Sequence, residues 1–136
     1  MNSVRIEVEG LPPKKDGANS MWNKEVEIPR IKALRAAVAE SLGEPAPPAA
    51  SVRLAAVVFA TREAGDLDNF ATGICDALQP ASRAAIRDER AWRDIGEHCH
   101  PSRPIAFGND KMVDKIAIER VLQSGAPHYE LTIEWN

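Results

Sequence analysis

The sequence predicts an α/β (α+β) protein: a single mixed β-sheet of about four strands with two main helices packed on it, plus a helical or loop insert. Three observations predict it. Segments 4–9 and 128–135 alternate between apolar and polar residues. Segment 51–60 is nearly continuous apolar sequence rich in β-branched residues. Segments 31–42 and 67–78 repeat apolar residues every three to four positions.

Each element follows from its own pattern. Val4, Ile6 and Val8 point one way and Arg5, Glu7 and Glu9 the other, giving a half-buried strand. Pro12-Pro13 stops it, and Gly10 to Gly17 reads as a loop that exposes Lys14-Lys15. Ile31, Leu34, Val38 and Leu42 define an amphipathic helix ended by Gly43. Pro45, Pro47 and Pro48 make a stiff connector. Residues 51–60 read as a central strand covered on both faces. Leu67, Phe70, Ile74 and Leu78 give a second helix, with Asp66 or Asp68 as its N-cap. Arg83 to Arg93 suits a helix, with Ile86 and Trp92 apolar, and Pro101 and Pro104 close that segment as a loop. Met112 to Leu122 is a strand with Asp114, Ile116 and Ile118 on one face. Tyr129, Leu131, Ile133 and Trp135 alternate in a last strand, as core or dimer interface. Ser124-Gly125-Ala126-Pro127 suggests a hairpin joining these two.

The 136 residues predict one domain, 1–136, with no internal repeat. No apolar run approaches the roughly 20 residues that span a bilayer, so no membrane partner is expected. The start lacks the basic and apolar regions of a signal peptide. Cys75 and Cys99 lie outside any paired motif. A cytoplasmic location follows as the expectation. The net charge of −3 runs against the basic surplus usual in compact DNA-binding domains. A carboxylate cluster is itself acidic, however, and a bound cation inverts its local field.

The chemistry-bearing stretch is Gly65-Asp66-Leu67-Asp68-Asn69-Phe70, at the mouth of the second helix, with Gly108-Asn109-Asp110-Lys111 downstream. Carboxylates are the natural ligands of Mg²⁺ or Mn²⁺, and such a cation activates water for phosphodiester cleavage. Asp66 and Asp68 are equally well placed as helix-start acids favoured by the helix dipole. Asp110 alone also suits a turn. The three together, in this order and with Asn69, favour a metal site. Asp76 reads as a solvated helix position or a structural hydrogen-bond acceptor rather than a ligand, Asn69 as a backbone cap or a substrate contact. His98-Cys99-His100 supplies too few ligands for zinc. Cys75 reads as a small core residue.

Asp66-Leu67-Asp68-Asn69-Phe70 with Ile74-Cys75-Asp76-Ala77-Leu78, and Asn109-Asp110-Lys111-Met112-Val113, resemble the paired motifs of RusA-type Holliday junction resolvases. Gly10-Leu11-Pro12-Pro13 and Glu130-Leu131-Thr132-Ile133 add to the likeness, which spans most of the chain except about 79–107, a family-atypical insert. The resemblance implies a homodimeric endonuclease of recombination and repair that cuts four-way DNA junctions with Mg²⁺, or Mn²⁺ in its place, in a bacterial or prophage setting. It implies Asp66, Asp68 and Asp110 as catalytic metal ligands, supported by Asn69, Asn109 and Lys111. DNA contacts are expected from Lys14, Lys15, Arg83, Arg87 and Lys115.

Three departures stand out. Thr72 occupies the family's lysine position, Asn109 replaces the first of an Asp pair, and the insert is long. With Arg83, Arg87, Arg90, Arg93, Arg103 and Trp92, the insert would either face DNA with phosphate contacts and a stacking aromatic or block the cleft. The other readings of the chain are a catalytically weak or inactive DNA-binding module and a non-enzymatic interaction protein.

Overall fold

The computed structural model describes residues 2–17, 20–43 and 51–136. The proline connector lies outside the described residues. Strands β1 (Asn2–Glu9), β2 (Val52–Ala60), β3 (Val113–Leu122) and β4 (His128–Trp135) form one sheet in the order β1-β4-β2-β3. Helices α1 (Glu27–Leu42) and α2 (Leu67–Leu78) cover one of its faces. The mixed sheet with packed helices matches the expected architecture.

The alternations become the core. Ile6 and Val8 of β1, Leu54, Ala56 and Val58 of β2, and Tyr129, Leu131 and Ile133 of β4 are buried beneath Ile31, Leu34 and Val38 of α1 and Ile74 and Leu78 of α2. β4 runs antiparallel to both neighbours, whereas β2 and β3 run parallel. Parallel neighbours need a long crossover, which α2 and the following segment supply.

The hairpin expected between the last two strands does not form. β4 inserts between β1 and β2, and β3 takes the far side of β2. Burial explains the choice. The Tyr129, Leu131 and Ile133 face is almost wholly excluded from solvent, which requires a strand with neighbours on both sides. The charged β3 suits an edge.

β2 is central but is covered on one face only, a second correction. Arg53 and Ala55 are exposed and Val57 and Phe59 half-buried on the open face. Alanine and valine at those positions hid the alternation. Phe59 instead stacks on His128, with ring centroids 4.4 Å apart.

Segment 83–99 forms three short 3-10 turns, Arg83–Ala85, Glu89–Ile95 and Glu97–Cys99, rather than one α-helix. Trp92 is 1% exposed and packs on Trp22 at 5.3 Å, so it is a core anchor and not a free stacking surface. A second anchor is Arg35, also fully buried. Its guanidinium donates to the carbonyls of Ala77 (2.6 Å), Gln79 (3.2 Å), Cys99 (2.9 Å), His100 (2.7 Å) and Arg103 (2.6 Å). One side chain thus ties α1 to the end of α2 and to the insert. Burial pulls its pKa down to about 10, with Cys99 opposing, which leaves it charged at neutral pH.

Candidate functional site

The acidic residues are positioned by α2. After β2 the chain turns through Arg62–Ala64 and through Gly65, whose φ of 149° favours glycine. A Cβ there would also stand 3.0 Å from both Lys14 Cδ and Phe70 Cζ. Asp66 is extended and starts the helix through its carbonyl, which accepts from Phe70 N–H at 3.2 Å. Its side chain makes no capping bond, so its carboxylate is not spent on the helix. Asp68, in the first turn, is exposed and accepts from Asn69 N–H at 3.0 Å. Thr72, one turn on, donates its hydroxyl to the Asp68 carbonyl at 3.0 Å.

The loop bearing Lys14 and Lys15 lies against the same helix. Gly73 makes this possible, since a Cβ there would sit 2.1 Å from the Pro13 carbonyl oxygen. Lys15 N–H donates to Asn69 O at 3.1 Å, and Lys14 N–H to the buried Glu27 Oε1 at 2.9 Å. Two cations are thereby fixed beside the acidic helix. Lys14 Nζ lies 3.7 Å from Asp16, and Lys15 acts electrostatically on Asp76.

The far end of α2 carries a second acidic group. Gln79 donates to Asp76 Oδ1 at 3.3 Å and accepts from the Asp110 N–H at 2.9 Å, so it bridges the two. Burial pushes the Asp76 carboxyl up from its ordinary value; Lys15 and Gln79 oppose this and Asp110 adds to it. Cys75 is half-buried and packs against the core here, and its thiol is pushed up to about 11 by burial and by Asp110 and Asp76. Asn109 accepts from Lys111 N–H at 2.8 Å and so caps the turn that presents Asp110. Lys111 is exposed there.

Asp68, Thr72 and Asp76 therefore share one face of α2, at helical spacing, with Gln79 just past its end. The eight-residue separation of Asp68 and Asp76 amounts to about 12 Å along the axis. Asp110 stands with Asp76, joined to it through Gln79. Among the described residues no group of three His, Cys, Asp or Glu side chains stands where it would hold a metal ion. The acidic residues instead lie at the two ends of α2, Asp66 and Asp68 at its start and Asp76 with Asp110 at its close.

Arg87 and Lys115 are exposed but belong to other regions, the insert and β3. The side chain of Arg83 lies outside the described ones. Sequence reasoning missed Gln79, Glu27 and Arg120. The half-buried Arg120 donates a short hydrogen bond from Nη2 to the Gly65 carbonyl, next to Asp66, while its Nε is buried without a partner. A glycine inside a helix was the one available signal for the close loop, because it costs about 1 kcal/mol unless backbone must approach. No protein-family model matches this sequence, and no curated protein matches it.

Proposed function

We propose that the chain is a RusA-like, metal-dependent endodeoxyribonuclease that cuts phosphodiesters in branched DNA, with Mg²⁺ as cofactor and Mn²⁺ as substitute. The observation that carries this reading is the set of carboxylates at the two ends of α2, Asp66 and Asp68 at its start and Asp76 with Asp110 at its close, beside a loop that fixes Lys14 and Lys15. Carboxylates alone would repel a phosphodiester; adjacent lysines give its backbone a place to rest.

Asp66 and Asp68 are assigned to hold a cation at the start of α2 and Asp110, beside Asp76, to offer oxygen at its far end; a bound cation would lower the pKa of a water and neutralise charge on phosphate. Asn69 ties the lysine loop to the helix and Asn109 presents Asp110. Thr72 brings no cation to the position it fills. Arg120, anchored one residue from Asp66, is a cationic replacement the fold offers. A four-way junction is two-fold symmetric, so a homodimer would supply one site per opposed strand.

The test is cleavage of a labelled synthetic four-way junction beside a linear duplex, with Mg²⁺ or Mn²⁺, at low salt because phosphate-driven binding weakens with salt. Paired nicks in the junction alone support the reading. Junction binding without nicks, in either metal, would favour the inactive module that Thr72 suggests. Neither binding nor cleavage would remove the assignment.

A further inference from the structure

β3 is an edge strand with a self-complementary sequence. It hydrogen-bonds to β2 on one side, and among the described residues no loop pairs with its other edge. An unpaired edge presents a row of free N–H and C=O groups and is a template for another strand. Its side chains add to this. The described residues include four large exposed hydrophobics, and three of them, Ile116 (38%), Val121 (42%) and Leu122 (55%), are on β3.

The order Lys115-Ile116-Ala117-Ile118-Glu119 reads as its own complement about Ala117. In an antiparallel pair of two such strands centred there, Ala117 faces Ala117, Ile116 faces Ile118, and Lys115 faces Glu119 twice over. Directly opposed residues share a face of the sheet, where apolar and opposite-charge pairs are favourable. Lys115 and Glu119 are exposed, both on the open face beside Arg53 and Val57 of β2. Neither has an ion-pair partner within the chain among the described residues.

We propose that two copies of this chain associate through β3, antiparallel and centred on Ala117, to give one continuous sheet across a two-fold axis. The arrangement is isologous, so each favourable pair occurs twice. A lone lysine would blunt such an edge; a lysine and a glutamate placed symmetrically about an alanine turn that protection into recognition of the same strand. This inference names the surface for the homodimer of the preceding reading and uses none of its chemistry.

The test combines charge reversal with cross-linking. Sedimentation equilibrium is expected to find a dimer of the full chain. Lys115→Glu and Glu119→Lys each create two like-charge pairs and should each weaken association by about tenfold or more. The double variant, Lys115→Glu with Glu119→Lys, should restore it. Ala117→Cys should give a disulfide-linked dimer under mild oxidation, because directly opposed strand residues lie within disulfide reach. Circular dichroism melts would verify that every variant folds. A monomeric wild type, a dimer indifferent to the single reversals, failure of the double variant to restore it, or an Ala117→Cys dimer that never cross-links would each overturn the proposal. Junction cleavage is read separately, so a nuclease with a different interface, or this dimer without nuclease activity, would be told apart.

Discussion

Asp68 carries a carboxylate that the fold barely uses. It is exposed, and its bond from Asn69 N–H would survive in an amide. Asp68→Asn should therefore leave stability within about 0.5 kcal/mol while abolishing metal-dependent cleavage; a thermal melt beside a junction assay checks both. Thr72 offers the reverse experiment. It is exposed one turn beyond Asp68, and lysine suits a helix at least as well as threonine. Thr72→Lys should raise the cleavage rate by about tenfold or more if cationic charge limits turnover. Asp76 makes a pH prediction. Burial raises its pKa in the fold above the ordinary 3.8, so the folded chain holds this proton where the unfolded chain has released it. Stability from this group is present at acid pH and is lost as pH rises through that window. Asp76→Asn should accordingly raise the melting temperature near neutral pH, with the gain shrinking towards pH 4. A gain of equal size at both pH values would contradict this account of Asp76.

At the scale of elements, the lysine loop depends on the missing side chain of Gly73. Glycine to alanine inside a helix ordinarily gains about 1 kcal/mol. Here the added Cβ would meet the Pro13 carbonyl at 2.1 Å. Gly73→Ala should instead cost about 2 kcal/mol, read by denaturant unfolding, and should weaken junction binding by displacing Lys14 and Lys15. The strands and both helices were legible because their apolar periods match their burial: Ile6 and Val8, Ile31 to Val38, Ile74 and Leu78 all point where the periods direct them. Strand partnership was not legible. A link such as Ser124 to Pro127 has the same composition whether it closes a hairpin or carries the chain past a neighbour, and only competition for burial decides. The insert was illegible for another reason. Its order comes from long-range anchors, among them Trp92 on Trp22, Arg35 on five carbonyls and Asn23 on Ala85 and Arg87, which have no local periodicity. Of the site, Asp66 and Asp68 were legible from their motif and the helix start. The partnership of Asp110 with Asp76 was not, because it passes through Gln79, a residue without a motif of its own.

At the scale of the molecule, helices cover one face of the sheet and leave the other open, and the acidic residues gather at the two ends of one of those helices. No described helix is long and apolar enough to cross a membrane. On the proposed reading the net charge of −3 need not oppose nucleic acid, because a bound cation would offset nearby carboxylates and lysines lie beside α2. Joined across β3, two copies would carry two such helices related by a two-fold axis, as a junction with two strands to cut requires. The decisive measurement is strand-by-strand nick mapping on a labelled four-way junction in Mg²⁺, with wild type beside Asp68→Asn and Asp110→Asn. The account predicts paired nicks on opposed strands for wild type and, for both variants, junction binding with no nicks. Nicking that persists at the wild-type rate in either variant, or wild-type protein that never nicks the junction in Mg²⁺ or Mn²⁺, would contradict it.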